Sequence, residues 1–282
     1  MIQTAISIFA VALLGGCLPL MFRWSDRVKH SILALSAGIF LGAVFLHLLP
    51  ELSALEHQYQ ANLAVEEAQH APPSTPPTTT PPAADHGADH DSEHAHFDHA
   101  HGHGSLWYFV LLGVLGVYLT EALLLRHHHH DELHRHRTTS LHALLGLSIH
   151  SFTNGIGLGV NLGNDVVAQA LFISIIAHKS AEAFSLTTLF QLASFRRVTT
   201  LLMLVPFCAV TPVGMFVGHL ASTWLGPYGI GVLTALASGT FLFVCLCELL
   251  PEVFHHREDS LIKLVLLAAG IGLMGLIHEG CA

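Results

Sequence analysis

Charge is scarce in this 282-residue chain: Asp, Glu, Lys and Arg together make up 11% of it, against about 25% in a typical soluble domain. That shortage excludes a soluble two-domain enzyme, which length alone, at roughly 150 residues per domain, would have favoured. Cations are the scarcest charged groups, 11 Lys and Arg against 20 Asp and Glu for a net charge of −9, so no nucleic-acid partner is expected. The five cysteines show no paired spacing. Cys17, Cys208, Cys245 and Cys247 lie in apolar segments and only Cys281 sits near a terminus, so a disulfide framework is not expected. Neither a His-Glu-x-x-His nor a Gly-x-Ser-x-Gly motif occurs.

What the chain does have is apolar length and histidine. Hydrophobic residues make up 52% of it, mean hydropathy is +0.56, and 24 residues are His. Eight apolar stretches, about 3–22, 31–50, 106–125, 141–160, 166–193, 198–220, 229–250 and 261–278, are long enough to cross a bilayer as helices. The first has no basic segment before it and no small-residue cleavage site, so it reads as a retained span. Lysine and arginine then orient the chain. Arg23, Arg27, Lys29, Arg126, Arg135, Arg137, Arg196, Arg197, Arg257 and Lys263 all fall in connections on one face. The opposite face, with both termini, carries no Lys or Arg. The expected topology therefore places both termini on the non-cytosolic side and the basic connections in the cytosol. Lys179 is the one cation inside a span.

Two connections are unusual. Residues 51–105 contain a Pro/Thr tract from Pro72 to Pro82, which favours an extended, mobile chain. From Asp85 to His103 the same segment interleaves seven His with five carboxylates. The internal connection adds His127, His128, His129, His130, His134 and His136. Imidazole and carboxylate suit zinc and similar metals, so tracts on both faces point to metal capture, buffering or sensing. Flexible ligands do not hold a fixed geometry, so neither tract is read as a transport site. Taken alone, either tract reads equally as a polar low-complexity loop.

The second and seventh spans resemble each other. Leu35–Glu51 (LSAGIFLGAVFLHLLPE) and Leu236–Glu252 (LASGTFLFVCLCELLPE) share eight identities in 17 positions. By the topology above they run in opposite directions, as in the inverted repeats from which secondary transporters are often built.

Ionisable groups at bilayer depth mark function. The fourth span carries His150 and Asn154; the fifth carries His178 and Glu182. Each pair is spaced i, i+4, on one helix face and about 6 Å apart along the axis. The short connection makes these helices antiparallel neighbours, so two imidazoles, one carboxylate and one amide converge as a four-ligand divalent site. A lone His or Asn in a span is more simply an interhelical hydrogen bond; the doubled spacing favours the metal. Gly155, Gly157 and Gly159 are expected to let another helix approach. His47 and Glu248 occupy equivalent repeat positions and are candidate pathway ligands, whereas Glu51 and Glu252 read equally well as interfacial groups. Pro206 and Pro212 predict a bend in the sixth span.

The fourth and fifth spans resemble the ZIP family of zinc and iron permeases, whose corresponding helices carry His-(Ser/Asn)-x-x-(Asp/Asn/Glu)-Gly and His-x-x-x-Glu. Here these motifs stand as His150, Ser151, Asn154, Gly155 and as His178, Lys179, Glu182. Thr211-Pro212-Val213-Gly214 resembles a further family element. The resemblance implies an all-α integral membrane protein of eight helices in a 3+2+3 arrangement. Helices 1–3 and 6–8 form the inverted repeat around helices 4 and 5. Residues 1–50 then hold the first two spans, 51–105 the external loop, 106–126 the third span and 127–140 the cytosolic loop. Residues 141–193 are the transport core, and 194–282 the last three spans.

The implied activity is import of a divalent metal into the cytosol by an elevator-like alternation, with homodimers frequent among members. The partners are metal ions and the lipid bilayer, at the plasma membrane or an intracellular compartment. No cofactor is expected, the metal being cargo: zinc first, with iron, manganese and cadmium accepted by the same ligand chemistry. Some members hold two adjacent metals, using an acid after the helix 5 His and another in helix 6. Here Lys179 stands at the first position and the sixth span has no acid. Lys179, beside Ser151, is therefore expected to replace the second ion and leave a mononuclear site; the competing reading has Lys179 snorkelling to water. Two other functions compete. An intramembrane zinc hydrolase would use the same ligands to activate water, and a membrane metal sensor would explain the loops but not the buried constellation.

Overall fold

The computed structural model describes residues 1–22, 24–70, 105–124, 132–163, 165–224, 226–255 and 259–281, and all secondary structure among them is helical. The His-rich runs at 85–103 and 127–130 lie outside the described residues. The helices are α1 (Ile2–Met21), α2 (Asp26–Gly42), α3 (Leu49–His70), α4 (Leu106–Leu124), α5 (Glu132–Val160), α6 (Asp165–Leu192), α7 (Arg197–Ala221), α8 (Pro227–Phe243), α9 (Leu250–Phe254) and α10 (Ser260–Cys281). Among the described residues, six helical stretches are long and apolar enough to cross a membrane: Ile2–Met21, Asp26–Val65, His136–Gly163, Arg197–Ala221, Tyr228–Phe254 and Ser260–Ile277. α4 is predominantly apolar over its 19 residues, whereas α6, though 28 residues long, is diluted by His178, Lys179 and Glu182.

That dilution matches position. Every residue from Ala181 to Phe190 is buried, and α6 packs against α1, α2, α5, α7 and α10. The outer helices present apolar side chains outward, among them Leu14 and Met21 of α1, Leu111 and Leu115 of α4, Leu202 and Leu220 of α7, and Leu261 and Val265 of α10. An apolar exterior around an interior holding the charged groups is the arrangement lipid favours.

Two rods are continuous through a widened turn. α2 passes through π-helical Ala43–Leu48 into α3, and α8 through π-helical Val244–Leu249 into α9. The cause is local: Pro50 and Pro251 lack an N–H, and their rings would clash with the carbonyl four residues back. The wider turn shifts the bonds, so Leu49 N–H donates to Val44 O and Leu250 N–H to Cys245 O. The first rod stays helical to His70, twenty residues into the segment expected to be a flexible loop. α5 likewise begins at Glu132, inside the expected 127–140 loop.

Helices approach closely where side chains vanish. Gly38 of α2 meets the Leu267 backbone of α10, and Gly239 of α8 meets the Val110 backbone of α4. Gly155 and Gly159 of α5 face the Thr211 and Met215 carbonyls of α7, as expected. Gly157 does not: nothing stands within 4 Å of where its Cβ would be, and it borders a cavity.

Candidate metal site

His150 and Asn154 lie on α5 and His178 and Glu182 on α6, one turn apart in each case, and the two helices pack together. His150, His178 and Glu182 each offer one ligand atom, all within 4.8 Å of one another, and all three residues are buried. His150 Nε2 is 3.4 Å and His178 Nε2 3.5 Å from Glu182 Oε1. Zinc bonds of about 2.0–2.1 Å put neighbouring tetrahedral ligands about 3.3 Å apart, so both separations fit one ion. Among the described residues, Glu182 Oε1 has no hydrogen-bond partner, and both imidazole Nδ1 atoms are likewise without one. A buried carboxylate oxygen aimed between two imidazole nitrogens is costly unless a cation joins them.

Asn154 completes the set at its edge. Its Nδ2 is 2.9 Å from His150 Nε2 and 3.5 Å from His178 Nε2; turning the amide over presents Oδ1 to the same point. The His150 ring stacks on Phe241 with centroids 3.9 Å apart and planes 12° apart, an apolar wall that α8 contributes.

The other oxygen of Glu182 is committed elsewhere. Lys179 Nζ donates to Glu182 Oε2 at 2.9 Å and to Ser151 Oγ at 2.5 Å, and Ser151 Oγ lies 3.0 Å from the same Oε2. Lys179 is only 1% exposed, so it does not snorkel, and its ammonium sits 4.4 Å from the Phe207 ring centroid. Lys179 and Ser151 thus fill the space beside Glu182 with fixed positive charge.

Of the two pathway candidates, His47 lines a small cavity of about 40 Å³ that also touches Glu51, Asn154, Gly157, Asn161 and His178. Its Nε2 is 3.8 Å from Glu51 Oε2. Glu248 is buried and lies outside the three-ligand group; its Oε1 is 3.0 Å from His142 Nδ1. One turn further along, Glu252 Oε1 is 3.1 Å from His136 Nδ1 and 3.8 Å from His30 Nε2. His142, Phe241 and Phe207 were not singled out from the sequence. His142 had a readable signal, since His142, Gly146, His150 and Asn154 recur every fourth residue along one helix face; the phenylalanines had none.

A family model described as ZIP zinc transporter matches residues 52–278, which is most of the chain. This chain belongs to the ZIP zinc transporter family. Similar proteins include the zinc transporter ZIP9-B of Xenopus laevis, 25% identical over 99% of this chain and 93% of its own length. The human zinc transporter ZIP2 is 26% identical over 96% of this chain and 94% of its own. The zinc transporter ZIP1 of Danio rerio is 26% identical over 64% and 56%. ZIP proteins are transporters, so the hydrolase reading is set aside: this ZIP protein is a multi-pass integral membrane transporter of divalent metal and not an enzyme.

Proposed function

We propose that this ZIP protein carries zinc into the cytosol, one ion at a time, through a site made by His150, His178, Glu182 and Asn154. The observation that carries this reading is the convergence of three buried ligand atoms within 4.8 Å, with Glu182 Oε1 unbonded between two imidazoles. Lys179 and Ser151 stand where a second ion would sit and hold Glu182 in place, so the site is mononuclear. Zinc is the cargo and no resident cofactor is involved.

Alternating access follows from a 3+2+3 inverted repeat, and the packing is consistent with one. Exchange α1 with α7, the α2–α3 rod with the α8–α9 rod, α4 with α10, and α5 with α6. The α1–α6 contact then becomes α7–α5, α2–α10 becomes α8–α4, and α2–α6 becomes α8–α5; all these pairs are in contact. The cavity reaching Asn154 and His178 from Glu51 and Asn161 supports access from that end, with His47 receiving the ion. Glu248, held by His142, is the release-side ligand. The described cations outside the site gather at the other end: Lys29 and Arg197 share a pocket, Arg196 caps α7, and Arg137 donates to Ala193 O. The positive-inside bias makes that end cytosolic and places both termini outside. A homodimer is the proposed assembly.

Radioactive zinc uptake by purified protein in liposomes tests the reading. Uptake should be lost in His178→Ala and Glu182→Ala; flux that survives both substitutions rejects the site.

A further inference from the structure

A second pocket opens at the basic end, where the connections between α1 and α2 and between α6 and α7 meet. It is open to the surface and has a volume of about 320 Å³, at the lower end of the range of small-ligand sites. Lys29 and Arg197 line it together with Phe22, Trp24, Gln191 and Thr200. Lys29 Nζ bonds Asp26 Oδ1 at 3.0 Å, but that carboxylate is 78% exposed on the rim, and an ammonium has three donors. Gln191 spends its amide N–H on Pro19 O at 2.7 Å. Thr200 is buried, and its hydroxyl has no hydrogen-bond partner among the described residues. Thr200 lines the pocket with the two cations, while its hydroxyl oxygen is itself buried. Arg196, the N-cap of α7, makes no side-chain cap bond, which leaves the first-turn amides adding positive field to the same place.

The surroundings say what kind of anion fits. Met21, Phe22, Val198 and Leu202 next to the pocket are exposed and apolar, as expected where a transmembrane surface meets the headgroup layer. The Trp24 ring lies 6.0 Å from Phe22 and 6.0 Å from Phe184 of α6, an aromatic anchor of the kind found at that depth. Basic pockets between transmembrane helices on the cytosolic side hold lipid headgroups. We propose that this pocket binds the headgroup phosphate of an anionic phospholipid. Lys29 and Arg197 contact the phosphate, and the acyl chains lie on the adjacent apolar surface. A soluble anion would satisfy the cations but leave that surface unused. The proposal needs the chain to span a membrane and does not depend on which ion it carries.

Native mass spectrometry of the full-length protein, released from vesicles of equal phosphatidylcholine and phosphatidylglycerol, tests it. Phosphatidylglycerol should be retained preferentially. Lys29→Gln and Arg197→Gln should each lower retention about fivefold. Arg27→Gln, an exposed cation outside the pocket lining, should have no effect. Equal retention of the two lipids, or Arg27→Gln costing as much as Arg197→Gln, would overturn the proposal. Complete displacement of the lipid by millimolar inorganic phosphate would mark a free-anion site and overturn it too.

Discussion

The α2–α3 and α8–α9 rods share a backbone but not a chemistry. Both widen at the same point before a Pro-Glu pair, both bring a glycine against a neighbouring backbone, and both place a polar group at the equivalent position. In the first rod that group is His47, partly exposed in a cavity beside Glu51. In the second it is Glu248, buried against His142. In the proposed transport cycle the matched backbones make two gates of one geometry. In that reading the unmatched side chains make the His47 end open and the Glu248 end sealed, with Glu252 gathering His30 and His136 behind it. A symmetric scaffold with asymmetric polar groups is what the proposed inward route requires, since backbone symmetry alone favours neither end.

The largest expected effect lies where both rods converge. Glu182→Gln keeps a hydrogen-bonding partner for Lys179 but removes the anionic ligand. Zinc uptake in liposomes should fall about 100-fold or more, on the scale of losing a charged ligand that contributes about 3 kcal/mol, while the protein still elutes as a folded species. Retained uptake would show that the two gates do not meet at this carboxylate.

Next come the shared glycines. Gly38→Ala and Gly239→Ala each push a methyl into a neighbouring helix backbone, and each should cost about 1–3 kcal/mol. Thermal unfolding in detergent should fall by similar amounts for the two, and a difference beyond that range would break the equivalence of the halves.

The polar groups should separate where the glycines agree. His47→Ala, at the open end, should raise KM for zinc about tenfold with kcat little changed, an uptake-side loss of about 1.4 kcal/mol. Glu248→Gln, at the sealed end, should lower kcat with KM little changed. Equal effects on both constants would dissolve the distinction between ends. The same distinction predicts that a membrane-impermeant thiol reagent added from the cavity side labels Asn161→Cys quickly and Ser140→Cys hardly at all, since Asn161 lines the cavity and Ser140 is fully buried. The smallest effect is expected at Gly157→Ala, where open space receives the methyl and uptake should stay within about twofold of the parent.

Much of the site was legible because its signals are local. His150, Asn154, His178 and Glu182 declare themselves by i, i+4 spacing within apolar segments, and helical geometry puts each pair on one face. Lys179 announced itself as the one cation in a span, but whether it paired with Glu182 or reached for water depended on depth, which only packing supplies. The glycines show the same divide. Gly155, Gly157 and Gly159 look alike in the chain, yet two meet α7 and the third borders the cavity, because which face of α5 meets a neighbour is a property of the pair of helices.

The sequence by itself determined the apolar helices and the pairing of His150 with Asn154 and of His178 with Glu182 on single helix faces, since hydropathy and helical period are written residue by residue. The extension of the first rod to His70 and the start of α5 at Glu132 escaped it, because polar helical turns beyond a span carry no hydropathy signal. Only the tertiary structure decided that Phe241 stacks on His150, that Lys179 is sealed under Phe207, that His142 pairs with Glu248 across 106 residues, and that one end is open. Those are contacts between segments distant in sequence, set by how close two helices come and in what register, and no local pattern encodes them.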